Sequence, residues 1–120
     1  MIKLPSLLFA ALCLAGCDRD RDFPVERFDT ASLTLSLYSI DGEVTCTLER
    51  NSPQYDQLRA WVIKNQQGWQ FAPATYLPGK VVSGSGFRLN FLDTMAILDY
   101  SGGQFALPVE PDEYAFLSCT

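Results

Sequence analysis

The chain has 120 residues, nearly half of them apolar, with 14 acidic side chains against 9 basic ones and no histidine. That length supports one domain around one core. The acidic balance disfavours nucleic acid and anionic lipid headgroups as partners. The missing histidine removes Ser-His-Asp and Cys-His nucleophilic sites and the commonest zinc ligand.

Met1-Ile2-Lys3 is a minimal basic start, and Leu7 to Leu14 is an apolar run. The run is too short to cross a bilayer, which takes roughly 20 apolar residues. It closes on Leu14-Ala15-Gly16-Cys17. These four residues resemble the lipobox of bacterial lipoproteins. The resemblance implies that residues 1–16 are a signal peptide and that Cys17 carries lipid. The protein would then be anchored to a membrane of the bacterial cell envelope by that lipid, facing the periplasm. Losing residues 1–16 removes only Lys3 among the charges, so the remaining 104 residues carry a net charge of −6.

Asp18-Arg19-Asp20-Arg21-Asp22 alternates in sign and shows no apolar period. Residues 17–29 are therefore expected to form a solvated tether, leaving 30–120 as the single folded domain. Ser32 to Leu37 alternates polar with apolar, which predicts a half-buried strand. Asp41-Gly42 supplies a hairpin turn, and Val44, Cys46 and Leu48 alternate with Thr45, Thr47 and Glu49 in a second strand.

Ser52-Pro53 is a helix start, and Tyr55, Leu58, Trp61 and Val62 make one apolar stripe at helical spacing. The helix is predicted over 53–67, with an Asp56–Arg59 surface pair. Gly68 is its stop, and Trp69 folds back on Ile63. Short strands follow at 69–71, 80–82, 87–91, 95–100 and 105–109, separated by Pro78-Gly79, Ser83–Gly86, Asp93-Thr94 and Gly102-Gly103. Met95 to Tyr100 is nearly all apolar and reads as a central strand buried on both faces. Order and turn lengths predict an α+β domain: a mostly antiparallel sheet, β-β-α-β-β-β-β, with one amphipathic helix on one face.

Four cysteines sort by position. Cys13 leaves with the signal, Cys17 takes lipid, and Cys46 and Cys119 remain for each other in an oxidising compartment. No C-x-x-C spacing suggests a redox or metal thiol pair. No metal site, cofactor or catalytic group is assigned. The acidic groups Asp41, Glu43 and Glu49, and Glu110, Asp112 and Glu113, fall in turns or on polar faces and are expected to be solvated. Ser83, Ser85, Arg88 and Asn90 form the candidate partner-binding patch: a glycine-rich turn beside two polar residues on one strand face. Trp69 and Tyr76 are expected in the core.

The plan of the chain resembles small envelope lipoproteins of two kinds, lysozyme inhibitors and periplasmic immunity proteins, although its body matches neither family. The shared features are the lipobox, a compact β-rich body, one disulfide near the C-terminus and acidic charge. Membrane-bound lysozyme inhibitors carry a Ser-Gly-x-x-Tyr-like loop; Ser83-Gly84-Ser85-Gly86-Phe87 and Ser101-Gly102-Gly103-Gln104-Phe105 resemble it. The helix at 53–67 departs from the all-β barrel of those inhibitors. Acidic charge, disulfide rigidity, anchoring and the missing catalytic groups lead to the expectation of a non-enzymatic lipoprotein that binds a cationic protein, as an inhibitor or immunity protein against a toxin or hydrolase. The rival class is a structural or assembly accessory of the envelope.

Overall fold

The computed structural model describes residues 21–30 and 32–119. The expected signal peptide, Cys17 and the start of the tether lie outside the described residues. Seven strands form one antiparallel sheet: β1 (Leu33–Ser39), β2 (Gly42–Leu48), β3 (Gln70–Phe71), β4 (Lys80–Gly84), β5 (Phe87–Leu92), β6 (Met95–Tyr100) and β7 (Gly103–Pro108). Their spatial order is β2-β1-β4-β5-β6-β7-β3. Among the described residues, two helices, α1 (Val25–Thr30) and α2 (Pro53–Lys64), and a 3₁₀ turn at Pro111–Glu113 accompany the sheet. The expected α+β class holds, with α1 as an added short element before β1.

The register divides the sheet into a core face and an outer face. Leu35, Val82, Leu89, Leu98 and Phe105 stand side by side from β1 to β7, and all are buried. The α2 stripe of Tyr55, Leu58, Trp61 and Val62 joins them in the core, as its spacing predicts. Ser52 caps α2, its hydroxyl accepting the Tyr55 N–H. The helix ends at Lys64, earlier than expected, because the Asn65 backbone and side-chain N–H groups both donate to the Trp61 carbonyl (2.9 Å each).

Trp69 is fully buried, as expected, while Ile63 stays 44% exposed. Its indole N–H donates to the Asn65 carbonyl (2.7 Å), turning the ring inward beneath α2. There it lies 6.1 Å from Trp61 and 5.9 Å from Phe23, ring centre to ring centre.

Phe23 corrects the expected tether. Phe23 is 2% exposed and Phe28 is fully buried, and both belong to the core cluster. Phe23 meets Phe87 edge-on at 5.7 Å, and Phe28 lies 5.4 Å from Tyr55. The Phe23 N–H donates to the Gln66 carbonyl, and Arg21 bridges to Trp69 at the β3 edge. Burying two aromatic rings outweighs the solvation of the few charges around them. The folded unit thus takes in Phe23 and Phe28, which the expected boundary at residue 30 left in the tether.

The expected Asp56–Arg59 pair is also replaced. Arg59 donates two hydrogen bonds to Asp29, Nε to Oδ1 at 2.8 Å and Nη2 to Oδ2 at 3.0 Å, tying α1 to α2.

The C-terminal segment crosses the core face and is fastened along its length. Tyr114 stacks on Phe91 at 5.1 Å. Lys80 Nζ donates to the Leu117 carbonyl (2.8 Å). The Gln54 amide exchanges two hydrogen bonds with the Ser118 backbone (2.9 Å each). The expected Cys46–Cys119 disulfide is present, with its Cα atoms 5.7 Å apart and a sequence separation of 73. Both cysteines are half-buried, because Cys46 sits on the edge strand and not deep in the core. In the chain-entropy picture, closing a loop of this length stabilises by about 4 kcal/mol.

Phe28→Ala is expected to cost about 3–5 kcal/mol of unfolding free energy in chemical denaturation. A loss under about 0.5 kcal/mol, typical of a surface position, would return this segment to the tether. Acid sensitivity is the second test. The hydrogen bond from Arg59 is the largest influence on the Asp29 carboxyl and holds it below the usual carboxylate range. A lowered folded value means that the contribution is complete above the unfolded value and is lost as pH falls through the folded one. Melting curves recorded from about pH 5 down to about pH 2 should show a smaller acid-induced drop for Arg59→Met than for wild type.

Candidate functional site

The sheet's strands end in two sets of turns, and these differ in chemistry. At one end stand the Ser85-Gly86 turn between β4 and β5 and the Ser101-Gly102 turn between β6 and β7. The register Gly84–Phe87–Tyr100–Gly103 places them next to each other. The two Ser-Gly patterns picked out in the sequence are therefore neighbours in space. Ser101 and Gly102 both take positive φ, 55° and 80°, as the tightest hairpin turn requires.

The stretch Ser83–Gly86, expected as a loop, is half strand. Ser83 and Gly84 belong to β4, and only Ser85 and Gly86 turn. Gly84 is required for packing, since a Cβ there would collide with the Phe87 ring. Phe87 and Phe105, the last residues of the two patterns, are 5% and 4% exposed. The rings point inward, and the turns present their polar residues.

A shallow groove of about 550 Å³ lies at this end. Arg88, Asp99, Tyr100, Ser101 and Gln104 line it, with Phe71 and Pro73 at the β3 edge. On the outer face the register aligns Ser83, Arg88, Asp99 and Gln104 in one row across four strands. Of the four candidate residues, Arg88 is exposed and lines the groove, and Ser85 is exposed on the turn beside it. Ser83 is half-buried in the same row.

Asn90 is a correction. It shares Arg88's face, yet it is only 7% exposed and its side chain is engaged within the fold. Residues 72–79 leave β3, cross the outer face and enter β4, covering it. Asn90 Oδ1 accepts the Gly79 N–H (2.9 Å), and Asn90 Nδ2 donates to the Leu77 carbonyl (3.1 Å). Gln104 holds the start of the same strap, accepting from Ala72 N–H on its carbonyl and from Ala74 N–H on its side chain. Tyr76, half-buried, donates to the Ala72 carbonyl. Val81 and Ile97 are buried on this outer face, at 2% and 1% exposure. This accounts for β6 being apolar on both sides, as its sequence predicts.

Asp99, Tyr100 and Gln104 escaped the sequence reading. Their signals were present: Asp99 is the one charge in an apolar strand, and Gln104 lies inside the second Ser-Gly pattern.

The opposite end of the sheet is acidic. It carries the Ile40-Asp41 and Asp93-Thr94 turns and the residues following β7. Asp41, Glu43, Asp93, Glu110 and Asp112 are all exposed there. Six strands at about 4.8 Å spacing spread this end over about 24 Å. Glu113 is not part of the solvated set. Its carboxylate accepts the Trp61 indole N–H (3.0 Å) and the Glu110 N–H (2.7 Å). Lys80 is drawn away from solvent, its Nζ bonded to the Leu117 carbonyl and 5.8 Å from the Tyr114 ring centre. Burial pushes its pKa down. Lys64, at the end of α2, is exposed and lines a groove with Asp112. Among the described residues no group of three or more Cys, Asp or Glu is placed to hold a metal ion. No described helix is long and apolar enough to cross a membrane.

Comparison with family models, with curated proteins and with solved structures found no match to this chain. The chemistry of the two sheet ends is therefore the basis for a functional reading.

Asn90→Ala would leave the Gly79 N–H and the Leu77 carbonyl without their partner, at a cost of about 1–3 kcal/mol. Faster amide exchange across residues 72–79 should accompany that loss. Arg88→Ala should change neither.

Proposed function

We propose that the protein is an envelope-anchored lipoprotein that binds a cationic protein without catalysis, as an inhibitor or immunity protein against a toxin or hydrolase. The observation that carries this reading is the segregation of charge. Five exposed carboxylates from three separated segments stand at one end of the sheet, and Lys80 beside them is turned inward. Such an arrangement steers a cationic partner and orients its approach. The disulfide supports residence in an oxidising compartment, in agreement with the lipobox-like Leu14-Ala15-Gly16-Cys17. The groove beside Arg88 and Asp99 offers a second contact surface of mixed charge.

The test is affinity capture from an envelope extract with the full-length protein as bait. A cationic protein should be retained at low salt and lost at high salt. The double variant Asp93→Lys/Asp112→Lys should weaken capture by roughly tenfold or more, while Arg88→Ala should preserve it. Failure to recover any protein at low salt would sink the proposal. Loss of capture in Arg88→Ala alone would move the contact to the groove end and refute the acidic end as the partner face.

A further inference from the structure

β2 is an edge of the sheet, and among the described residues no strand pairs with its outer side. Its seven residues contain no proline and no lysine, and their register with β1 runs without a bulge. Those are devices that keep edge strands apart. The direction of its backbone groups follows from β1. The Tyr38 N–H donates to the Gly79 carbonyl, on the side away from β2 (3.0 Å). Backbone groups alternate along a strand, so Leu33, Leu35, Leu37 and Ser39 turn theirs toward β2. Their partners Leu48, Cys46, Val44 and Gly42 answer them. Glu43, Thr45 and Thr47 therefore aim their N–H and C=O groups outward from the edge.

We propose that this edge pairs antiparallel with the same edge of a second copy of the chain, on a two-fold axis at Thr45. Thr45 then faces its counterpart, and Glu43 faces Thr47 of the other copy, twice. Neighbouring registers are worse. An axis at Glu43 sets the two carboxylates opposite each other, and one at Cys46 sets Glu43 against Glu49. An axis at Val44 sets Thr47 against Asp41. Only the Thr45 register engages all three outward residues of both copies. It keeps the two Glu43 residues about 14 Å apart, four residues at about 3.4 Å, beyond the ~8 Å screening length at physiological salt. It also lays Val44, 55% exposed, beside Cys46 of the other copy and withdraws that side chain from water. The helices of both copies share one side of the joined sheet. The N-terminal segments, which enter beside β3, stay at its two outer edges.

The remaining like-charge contact is Asp41 near Glu49 at each end of the pairing. Added salt screens it along with the net negative charge of each copy, so the dimer tightens as salt rises. Binding of a cationic partner weakens under the same change, which separates this proposal from the previous one.

The test is sedimentation velocity on the full chain extracted in mild detergent, over a concentration and salt series. Thr47→Lys sets a lysine opposite Glu43 at both ends and should tighten the dimer on the order of tenfold; Thr47→Glu should weaken it by a similar factor. Both substitutions fall on an exposed outer-face position and leave the core untouched. Thr45→Pro removes an outward N–H without breaking the β1 ladder and should give monomer. Dimer that responds in these directions supports the pairing. Monomer at every concentration, or Thr47→Lys and Thr47→Glu that sediment alike, overturns it.

Discussion

The position of Trp69 is the constraint on which the other parts depend. Its indole N–H closes the end of α2 at Asn65, its ring sits between Trp61 and Phe23, and its backbone meets Arg21 at the sheet edge. One residue thus fixes where the helix stops, where the N-terminal segment docks and where β3 begins. From it a line of aromatic contacts runs through Trp61 and Phe91 to Tyr114, with ring centres 5.0 Å and 5.1 Å apart at the last two steps. The line joins the first described segment to the last across the helix-bearing face. A small domain gains much of its burial from such large rings.

The other face is organised by polar side chains. Asn90 and Gln104 use their amides to hold an extended segment with no regular hydrogen bonding of its own. That division explains why the exposed polar chemistry is concentrated at the strand ends. The core face is occupied by helices and the C-terminal segment, and the middle of the outer face by the strap. Besides the β2 edge, what is left for recognition is the two rims: turns of serine and glycine at one, carboxylates at the other.

Much of this was legible in the sequence where a period was present. Leu33, Leu35 and Leu37 alternate with polar residues because one side of β1 faces the core, and the α2 stripe follows 3.6-residue spacing for the same reason. The disulfide followed from elimination among four cysteines. Where the period fails, so does the reading. Phe23 and Phe28 lie among charges, Phe23 just before and Phe28 within a helix of six residues too short to show a stripe. Asn90 carries the right parity for a surface residue, and its cover comes from Ala72 to Gly79, a segment without pattern. Arg59 had an acceptable partner one turn away at Asp56, but Asp29, 30 residues upstream, offers two hydrogen bonds instead of one weak pairing. Asp99 was hidden because a run of apolar neighbours suggests burial for every member.

The clasp between Cys46 and Cys119 also sets an order of events. The β1–β2 hairpin is local and can form as soon as its residues are made, but its covalent partner is 73 residues further on. Until then the Cys46 thiol stands on an edge strand, reachable by any passing disulfide, while α2 lacks the amide exchange between Gln54 and Ser118. The later-made segment is thus the one that locks the earlier-made hairpin and the helix together. Completion of the fold is a ring closure between distant parts of the chain, paced by long-range encounter and not by local propensity.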